Sequence, residues 1–440
     1  EYTSNSVFGR VIYSYADRYL FQANVRHDGS SRFAKGYRWG TFPSFSAGWV
    51  ASEEKFMKNL KWDWLSFLKL RGSWGMLGNE RIGSNYFPYI ALMSFGNSLF
   101  YMADGSVVSD KTARPAVLAV EDITWETTTS TDLGLDVNFL NNRLQFHFDY
   151  YWKETKDMLL NIEIPYFMGY NNPSTNAGKM STHGYDIEVA WNDQIGDFKY
   201  GVNVNFSDFL SKIDYMNDGE QISGGKIKRA GVLFNEFYGY VCEGIYQTQE
   251  EVNNSARTST TVTVGDLKYR DISGPDGVPD GVISPEYDRV PLGNSLPRFQ
   301  YGGSLNASYK GIDFSLAFQG IGKQNSYLST SMVQPLRDNY GNVPAILEGK
   351  YWSPFNTTEE NLAAKYPRLS NVSKSNNYAT SNFWMFNGSY FRLKNITLGY
   401  TLPKSWTQKA GINRARFYVS GSDLFCLSNF PRGWDPAMGT

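Results

Sequence analysis

Residues 133–150 read LGLDVNFLNNRLQFHFDY, two patterned runs joined by a short polar turn. Apolar and polar residues alternate through 133–139 and again through 143–150, with Asn141 and Asn142 between the two runs. Successive side chains of a β-strand point to opposite faces, so each run predicts a strand with one apolar and one polar face. Asn tolerates the positive φ of a tight turn, and the two runs therefore predict a β-hairpin.

The same period of two recurs along the whole chain and predicts about twelve strands. The predicted spans are 7–16, 19–28, 40–50, 67–77, 125–140, 143–160, 179–192, 197–213, 298–309, 311–320, 383–402 and 413–423. Their polar faces carry mainly Asn, Gln, Ser, Thr, Asp and Arg. Such strands suit a sheet with a wet interior and an oily exterior.

The connections between these strands differ in length according to strand order. Very short turns at Asp17-Arg18, Asn141-Asn142 and Lys310-Gly311 follow odd-numbered strands. Long irregular stretches follow even-numbered strands, at 78–124, 161–179, 214–297 and 321–382. Outer-membrane barrels have short turns at one end and long extracellular loops at the other. The sequence therefore predicts an all-β, antiparallel transmembrane β-barrel with long extracellular loops.

Two connections after odd-numbered strands are longer than this rule expects. They cover 51–66 and 403–412, and both are predicted to be partly helical.

Composition agrees with a barrel and excludes other classes. The net charge of the 440 residues is −1, which gives no reason to expect nucleic acid as a partner. Aromatic residues make up 16% of the chain, and Tyr and Trp suit a membrane–water interface. No stretch approaches the roughly 18 apolar residues of a transmembrane helix. Cys242 and Cys426 are too few for a disulfide framework and are predicted to be unpaired.

Several segments resemble blocks of SusC/RagA-type TonB-dependent transporters, in the same order along the chain. They are RHDGSSRF at 26–33, WGTFPSFSAGW at 39–49, LRGSWG at 70–75 followed by Gly78-Asn79, and YFRLKNITLGY at 390–400 with Asp435-Pro436 after it. Together they span nearly the whole sequence.

This resemblance implies a barrel of about 22 strands with a plugged lumen. Residues 1–440 are then expected to be the C-terminal part of the barrel, without the plug domain and the last strand. Any export signal is expected to have been removed or to lie upstream, because no such segment follows Glu1.

The resemblance also implies a function and partners. A SusC/RagA-like protein of the Gram-negative outer membrane imports oligosaccharides, or less often peptides, using energy from TonB. A SusD-like surface lipoprotein would cap it, TonB would contact an upstream segment, and two SusC–SusD pairs could form a dimer. Two alternatives stay open, a passive porin and a secreted glycan-binding β-protein.

One acidic segment has the composition of a calcium loop. Residues 271–283 read DISGPDGVPDGVI, and Asp288 follows. Calcium prefers several carboxylate and carbonyl oxygens on a tightly turning loop, so a structural Ca²⁺ held by Asp271, Asp276, Asp280 and Asp288 is one prediction. A solvated acidic turn is the alternative, and no cofactor is required for transport.

Aromatic residues in the long loops are candidate sugar-stacking contacts. The candidates for cargo binding are Tyr86, Tyr89, Tyr166, Tyr170 and Trp384, and loop packing is the alternative for each. His27, His147 and His183 have no metal-ligand spacing. No pattern singles out a catalytic carboxylate pair or a nucleophile, so the sequence predicts no enzyme.

Overall fold

The computed structural model describes residues 2–60, 62–81, 86–162, 164–217, 219–330, 333–338 and 341–438. Twelve strands form one antiparallel sheet in which each strand pairs with the next along the chain. These strands are β1 (Ser4–Tyr15), β2 (Tyr19–Ser30), β3 (Trp39–Val50), β4 (Leu65–Asn79), β5 (Glu126–Phe139), β6 (Leu144–Asn161), β7 (Ser174–Ile195), β8 (Phe198–Met216), β9 (Arg298–Tyr309), β10 (Ile312–Lys323), β11 (Tyr390–Thr401) and β12 (Arg416–Ser428).

All twelve predicted strands are confirmed, and so are the tight turns between them. Asn141 and Asn142 adopt φ of 58° and 64° between β5 and β6. Gly311 adopts φ of 90° between β9 and β10, which a residue with a Cβ adopts only with strain. These left-handed residues reverse the chain within a few residues, as the hairpins require.

The predicted strand at 383–402 began too early. Residues Asn382–Trp384 form a 3₁₀ turn, Met385–Asn387 pair with Asn325–Tyr327 outside the main sheet, and β11 starts only at Tyr390. The aromatic residues there resemble a strand in composition, but they pack into a loop core instead.

The sheet has one polar and one apolar face because the register keeps like residues side by side. On the polar face, Ser46 pairs with Ser73, which pairs with Asp132 on β5. On the apolar face, Leu305 pairs with Val202 on one side and Leu316 on the other. Leu305 is 38% exposed and Leu133 is 54% exposed. Exposed leucines on a continuous sheet face fit contact with lipid.

Helices are short and lie in the connections. They are α1 (Lys55–Asn59), α2 (Gln249–Asn253), α3 (Thr358–Leu362), α4 (Lys374–Asn377) and α5 (Lys404–Thr407), with 3₁₀ turns at Ala51–Glu53, Tyr166–Met168, Ala345–Leu347, Asn382–Trp384 and Gln408–Ala410. The predicted helical character of 51–66 and 403–412 is confirmed. Among the described residues, no helix is both long enough and apolar enough to cross a membrane.

The connections after even-numbered strands gather at one end of the sheet, which we call the loop end. They contain strands that the sequence analysis missed, because these strands are short or lie outside the alternating runs. A hairpin joins Leu92–Tyr101 to Val107–Val117, and four strands form a small sheet. The small sheet consists of Glu220–Ser223, Lys226–Arg229, Glu236–Tyr240 and Arg289–Asn294, and a further pair consists of Cys242–Ile245 and Leu267–Tyr269.

The two longest connections fold together. We call the described residues of 217–297 and 324–389 the rim body. Its main core contains Tyr240, Leu267, Tyr269, Ile283 and Trp384, drawn from both connections. Two segments that are far apart in sequence thus share one hydrophobic core, as in a soluble domain.

Candidate functional site

A concave pocket of about 880 Å³ lies on the polar face near the loop end. The lining is mostly hydroxyl, amide and charged side chains, including Ser4, Ser6, Gln22, Asn24, Arg26, Asp28, Ser44, Ser46, Ser73, Asn79, Glu80 and Arg81. The rings of Tyr2, Phe42 and Trp125 add apolar surface. Polar groups with a few aromatic rings are the lining that a large polar ligand needs for orientation.

The aromatic floor of this pocket is fixed by a small core. Phe33 and Ile123 are fully buried, and the Trp125 ring lies edge-on to Phe42 with centroids 5.4 Å apart. Trp125 Nε1 donates to the carbonyl of Arg38 at 3.0 Å. The connections after β2 and β4 are thereby held against the ends of the strands.

Tyr86, a predicted cargo contact, lies beside this pocket. Its ring centroid is 6.1 Å from that of Tyr2, and both rings lie against the guanidinium of Arg32, at 4.7 Å and 4.9 Å. The Tyr2 hydroxyl donates to Glu80, and this hydrogen bond raises the pKa of Tyr2. These contacts place Tyr86 next to Tyr2 and Glu80, which line the pocket.

Tyr89 lies in the same connection, and its hydroxyl donates to the carbonyl of Ser31 at 3.5 Å. Its partly buried ring contacts the Phe87 ring edge-on, so at least one side of the Tyr89 ring is packed against another side chain. A role in cargo binding stays a prediction for Tyr86 and Tyr89.

The other predicted aromatic contacts lie elsewhere. Tyr166 begins a 3₁₀ turn, and its side chain lies outside the described part of the structure. Tyr170 is partly buried next to Asn171, whose N–H donates to Ala116 in the hairpin. Trp384 is fully buried, with its ring against Phe383, Tyr378 and Tyr366. Trp384 therefore has no free face for a sugar in this structure, because it forms the core of the rim body.

A buried polar network joins the two halves of the rim body, and sequence reasoning missed it. Asp266 is fully buried, and Arg368 Nε donates to its Oδ1 at 2.7 Å. Ser373 and Asn377 donate to the same carboxylate, each at 2.9 Å. The residue types gave no signal, because the partners lie more than 100 positions apart.

Several tyrosines of the rim body are buried with this network. The hydroxyl of Tyr269 donates to the carbonyl of Asn376 at 2.6 Å, and burial raises the pKa of Tyr269 well above its ordinary value. Burial likewise raises the pKa of Tyr246 and Tyr378, each to about 12. These phenols stay protonated at physiological pH and serve as hydrogen-bond donors.

The acidic loop at 271–288 uses its carboxylates to bind backbone. Asp288 is fully buried and accepts from the N–H groups of Ile272 at 2.7 Å and Ser284 at 2.7 Å. Asp271 accepts from Gly281 at 2.7 Å, and Asp280 from Val282 at 3.0 Å. Within the described ranges, no group of three or more His, Cys, Asp or Glu is placed to hold a metal ion. The calcium ion stays a prediction.

The polar face of the sheet carries its own ion pairs. Arg71 on β4 contacts Asp149 at 2.7 Å and Asp136 at 3.1 Å, and His147 Nδ1 lies 3.0 Å from Asp136. His27 stacks on Trp39 with centroids 4.8 Å apart. Cys242 and Cys426 are both free thiols, which confirms that they are unpaired.

An apolar outer face, a polar inner face and long loops sorted to one end define an outer-membrane β-barrel protein. The family comparison agrees: residues 1–420 match the TonB dependent receptor-like β-barrel family. The chain belongs to this family, and its place in the cell is the outer membrane.

Two curated relatives of this chain are named TonB-dependent receptors. A TonB-dependent receptor of Formosa agariphila is 33% identical over 451 residues, covering 98% of this chain and 42% of the relative. The TonB-dependent receptor SusC of Bacteroides thetaiotaomicron is 30% identical, covering 98% of this chain and 41% of SusC. The chain thus spans less than half the length of these relatives. The SusC/RagA-like identification from sequence is confirmed.

A solved structure of the RagAB peptide transporter matches the fold with a TM-score of 0.77 at 24% identity. The match covers 99% of this chain and 45% of the transporter chain. It confirms that the twelve strands adopt the fold of part of such a barrel.

Proposed function

We propose that the protein to which these residues belong imports large nutrients across the outer membrane, driven by TonB and capped by a SusD-like lipoprotein. The observation that carries this proposal is the pairing of a polar sheet face with a folded rim body at the loop end. A simple pore needs an open mouth, whereas the loop end of this chain carries a rim body with its own buried core. Family membership supports transport over catalysis.

Oligosaccharide is the proposed cargo, and peptide is the alternative. The pocket near the loop end offers hydroxyls and amides together with the rings of Tyr2, Phe42 and Trp125. Sugars are bound by such polar groups together with apolar ring faces. Peptide stays the alternative because the fold also matches that of the RagAB peptide transporter.

The proposed partners follow from the same resemblance. A SusD-like lipoprotein would sit on the loop end, and TonB would contact a segment of the protein outside the 440 residues. Two such pairs could associate as a dimer.

Uptake by cells tests this proposal. A strain in which the full gene is deleted should lose growth on the oligosaccharide that induces it, and complementation should restore growth. Removing TonB or collapsing the proton gradient should stop uptake. Uptake that continues without TonB would favour the passive porin. Loss of growth on peptides, with growth on oligosaccharides unchanged, would make peptide the cargo. A purified protein that stays soluble without detergent and shows no heat-modifiable migration would favour the secreted glycan-binding protein.

A further inference from the structure

Arg32 is a buried cation without a carboxylate partner among the described residues. It is 9% exposed, and it follows β2 in the connection to β3. Its Nε and Nη1 are both buried, and neither has a hydrogen-bond partner in the described part of the chain. A guanidinium stays charged in proteins, so this burial is unfavourable unless a partner compensates it.

The two tyrosine rings do not supply that compensation. Tyr2 and Tyr86 attract the guanidinium through their π-faces, but they accept no hydrogen bond from its N–H groups. Their centroids are only 6.1 Å apart, so the rings cover adjacent sides of Arg32 and leave other sides uncovered by them. The nearby carboxylate of Glu80 accepts from the Tyr2 hydroxyl.

Other arginines on the polar face differ from Arg32. Arg26 lines the pocket and is paired with Asp28 at 2.7 Å. Arg71, further along the polar face, is paired with two aspartates. The lack of a carboxylate at Arg32 is therefore not a general feature of this surface.

We propose that Arg32, Tyr2 and Tyr86 form an anion subsite that binds a carboxylate of the cargo. The planar fork of a guanidinium matches the two oxygens of a carboxylate, and a charge-assisted pair of this kind is strong. Tyr2 and Glu80 place the subsite at the edge of the 880 Å³ pocket, so a ligand in the pocket can reach it. Tyr86 is 48% exposed, and this binding mode requires its ring to move aside when the carboxylate enters.

The inference rests on the proposed function, because it names a chemical class within the proposed cargo. The carboxylate belongs either to a uronic acid of an oligosaccharide or to an acidic side chain of a peptide. Both sources present the same planar group to Arg32.

Binding to the purified full-length protein in detergent tests the subsite. The probes are trigalacturonate and its methyl ester, and a Glu-containing pentapeptide and its Gln counterpart. We expect the acidic member of one pair to bind at least about tenfold more tightly than its neutral member, as hydrogen bonds to charged groups allow. Which pair shows this preference identifies the source of the carboxylate.

Three variants test whether the acidic preference depends on the planar guanidinium of Arg32 or only on a positive charge. R32Q should abolish the acidic preference, and R32K should lose most of it because lysine keeps the charge without the fork. R10Q removes an exposed arginine that is not among the residues lining the pocket, and it should keep the preference. Heat-modifiable gel migration checks that each variant has folded.

Two results would overturn the inference. One is equal or absent binding of acidic and neutral members by the wild-type protein, or an acidic preference that R32Q retains. The other is a structure of the full-length protein in which one of its own carboxylates pairs with Arg32. The binding assay needs neither TonB nor import, so lost uptake with the acidic preference kept would contradict only the proposed function.

Discussion

The sheet and the rim body are built on different principles within one chain. In the sheet, neighbouring strands are consecutive in sequence, and large apolar side chains such as Leu305 are exposed. In the rim body, Asp266 and Trp384 are fully buried and contact segments that are far apart in sequence. The apolar side chains of the sheet face lipid, whereas those of the rim body pack against one another in a core.

This difference indicates that the two regions respond separately to substitution. Backbone ladders and lipid stabilise the sheet, and a loss inside the rim body should leave those ladders intact. Stabilities of regions within one protein differ in this way when each opens as its own cooperative unit.

The largest effect is expected from Asp266→Asn. This change removes the charge opposite Arg368 and weakens the bonds from Ser373 and Asn377. Removing one partner of a buried pair costs about 3 to 5 kcal/mol. Hydrogen exchange of the full-length protein in detergent should accelerate in the rim body and stay unchanged in β5 to β10.

Glu243→Gln is the matched control. Its pair with Arg270 at 2.9 Å is solvent-exposed and is worth about 0 to 1 kcal/mol. Faster exchange spread equally over the sheet and the rim body after Asp266→Asn would mean that the two regions unfold as one unit.

The next effect concerns the two faces of one strand. Leu305→Arg places a charge on the lipid face of β9, which costs about 2 to 4 kcal/mol near the bilayer midplane. Ser304→Arg places the same charge on the polar face, between Asn203 and Ala317, and should change stability by less than about 1 kcal/mol. Folding into lipid vesicles, followed by heat-modifiable migration, measures both. Equal losses would show that the outer face does not contact lipid.

A smaller effect is expected on the reactivity of the two thiols, Cys242 in the rim body and Cys426 in the sheet. Burial raises the pKa of Cys242 from 9.0 to about 11, so folding favours its protonated form. That contribution to stability is full below about pH 9 and disappears as the pH rises through about 11. A pKa of about 11 instead of 9.0 predicts roughly 100-fold less thiolate at pH 8 than an ordinary thiol has.

Alkylation in a Cys426→Ser background measures this shift at Cys242 alone. Its rate should be at least about 100-fold slower than that of a model thiol at pH 8, and Asp266→Asn should raise it. Exposed Cys426 in a Cys242→Ser background is the comparison from the sheet. A fast Cys242 reaction in the native protein would contradict a closed rim body.

The twelve strands could be predicted because alternation and turn residues are local signals. Asn141-Asn142 identifies its hairpin without knowledge of any other part of the chain. The rim body could not be predicted in this way, since Asp266 finds Arg368 only after both connections fold. Trp384 illustrates the same limit: sequence identifies an aromatic residue in a loop, but its burial depends on Tyr366 and Tyr378.

Arg32 shows what sequence can and cannot reveal about the site. It lies inside RHDGSSRF, one of the segments by which the chain resembles SusC/RagA-type transporters. That no carboxylate among the described residues pairs with Arg32 is a tertiary property, because Arg26 in the same segment has Asp28 as a partner. Tyr86 was predicted from composition, whereas its contact with Arg32 required the fold.

The smallest effect is expected from Asp276→Asn in the acidic loop of the rim body. Asp276 is exposed, whereas Asp288 is fully buried against backbone N–H groups that need it with or without an ion. Without calcium, Asp276→Asn should change stability by no more than about 0.5 kcal/mol. If calcium binds, protease cleavage of residues 271–288 should slow on adding the ion, and Asp276→Asn should weaken that protection. Cleavage that calcium and chelator leave unchanged in the wild-type protein would show that backbone hydrogen bonds alone hold this loop.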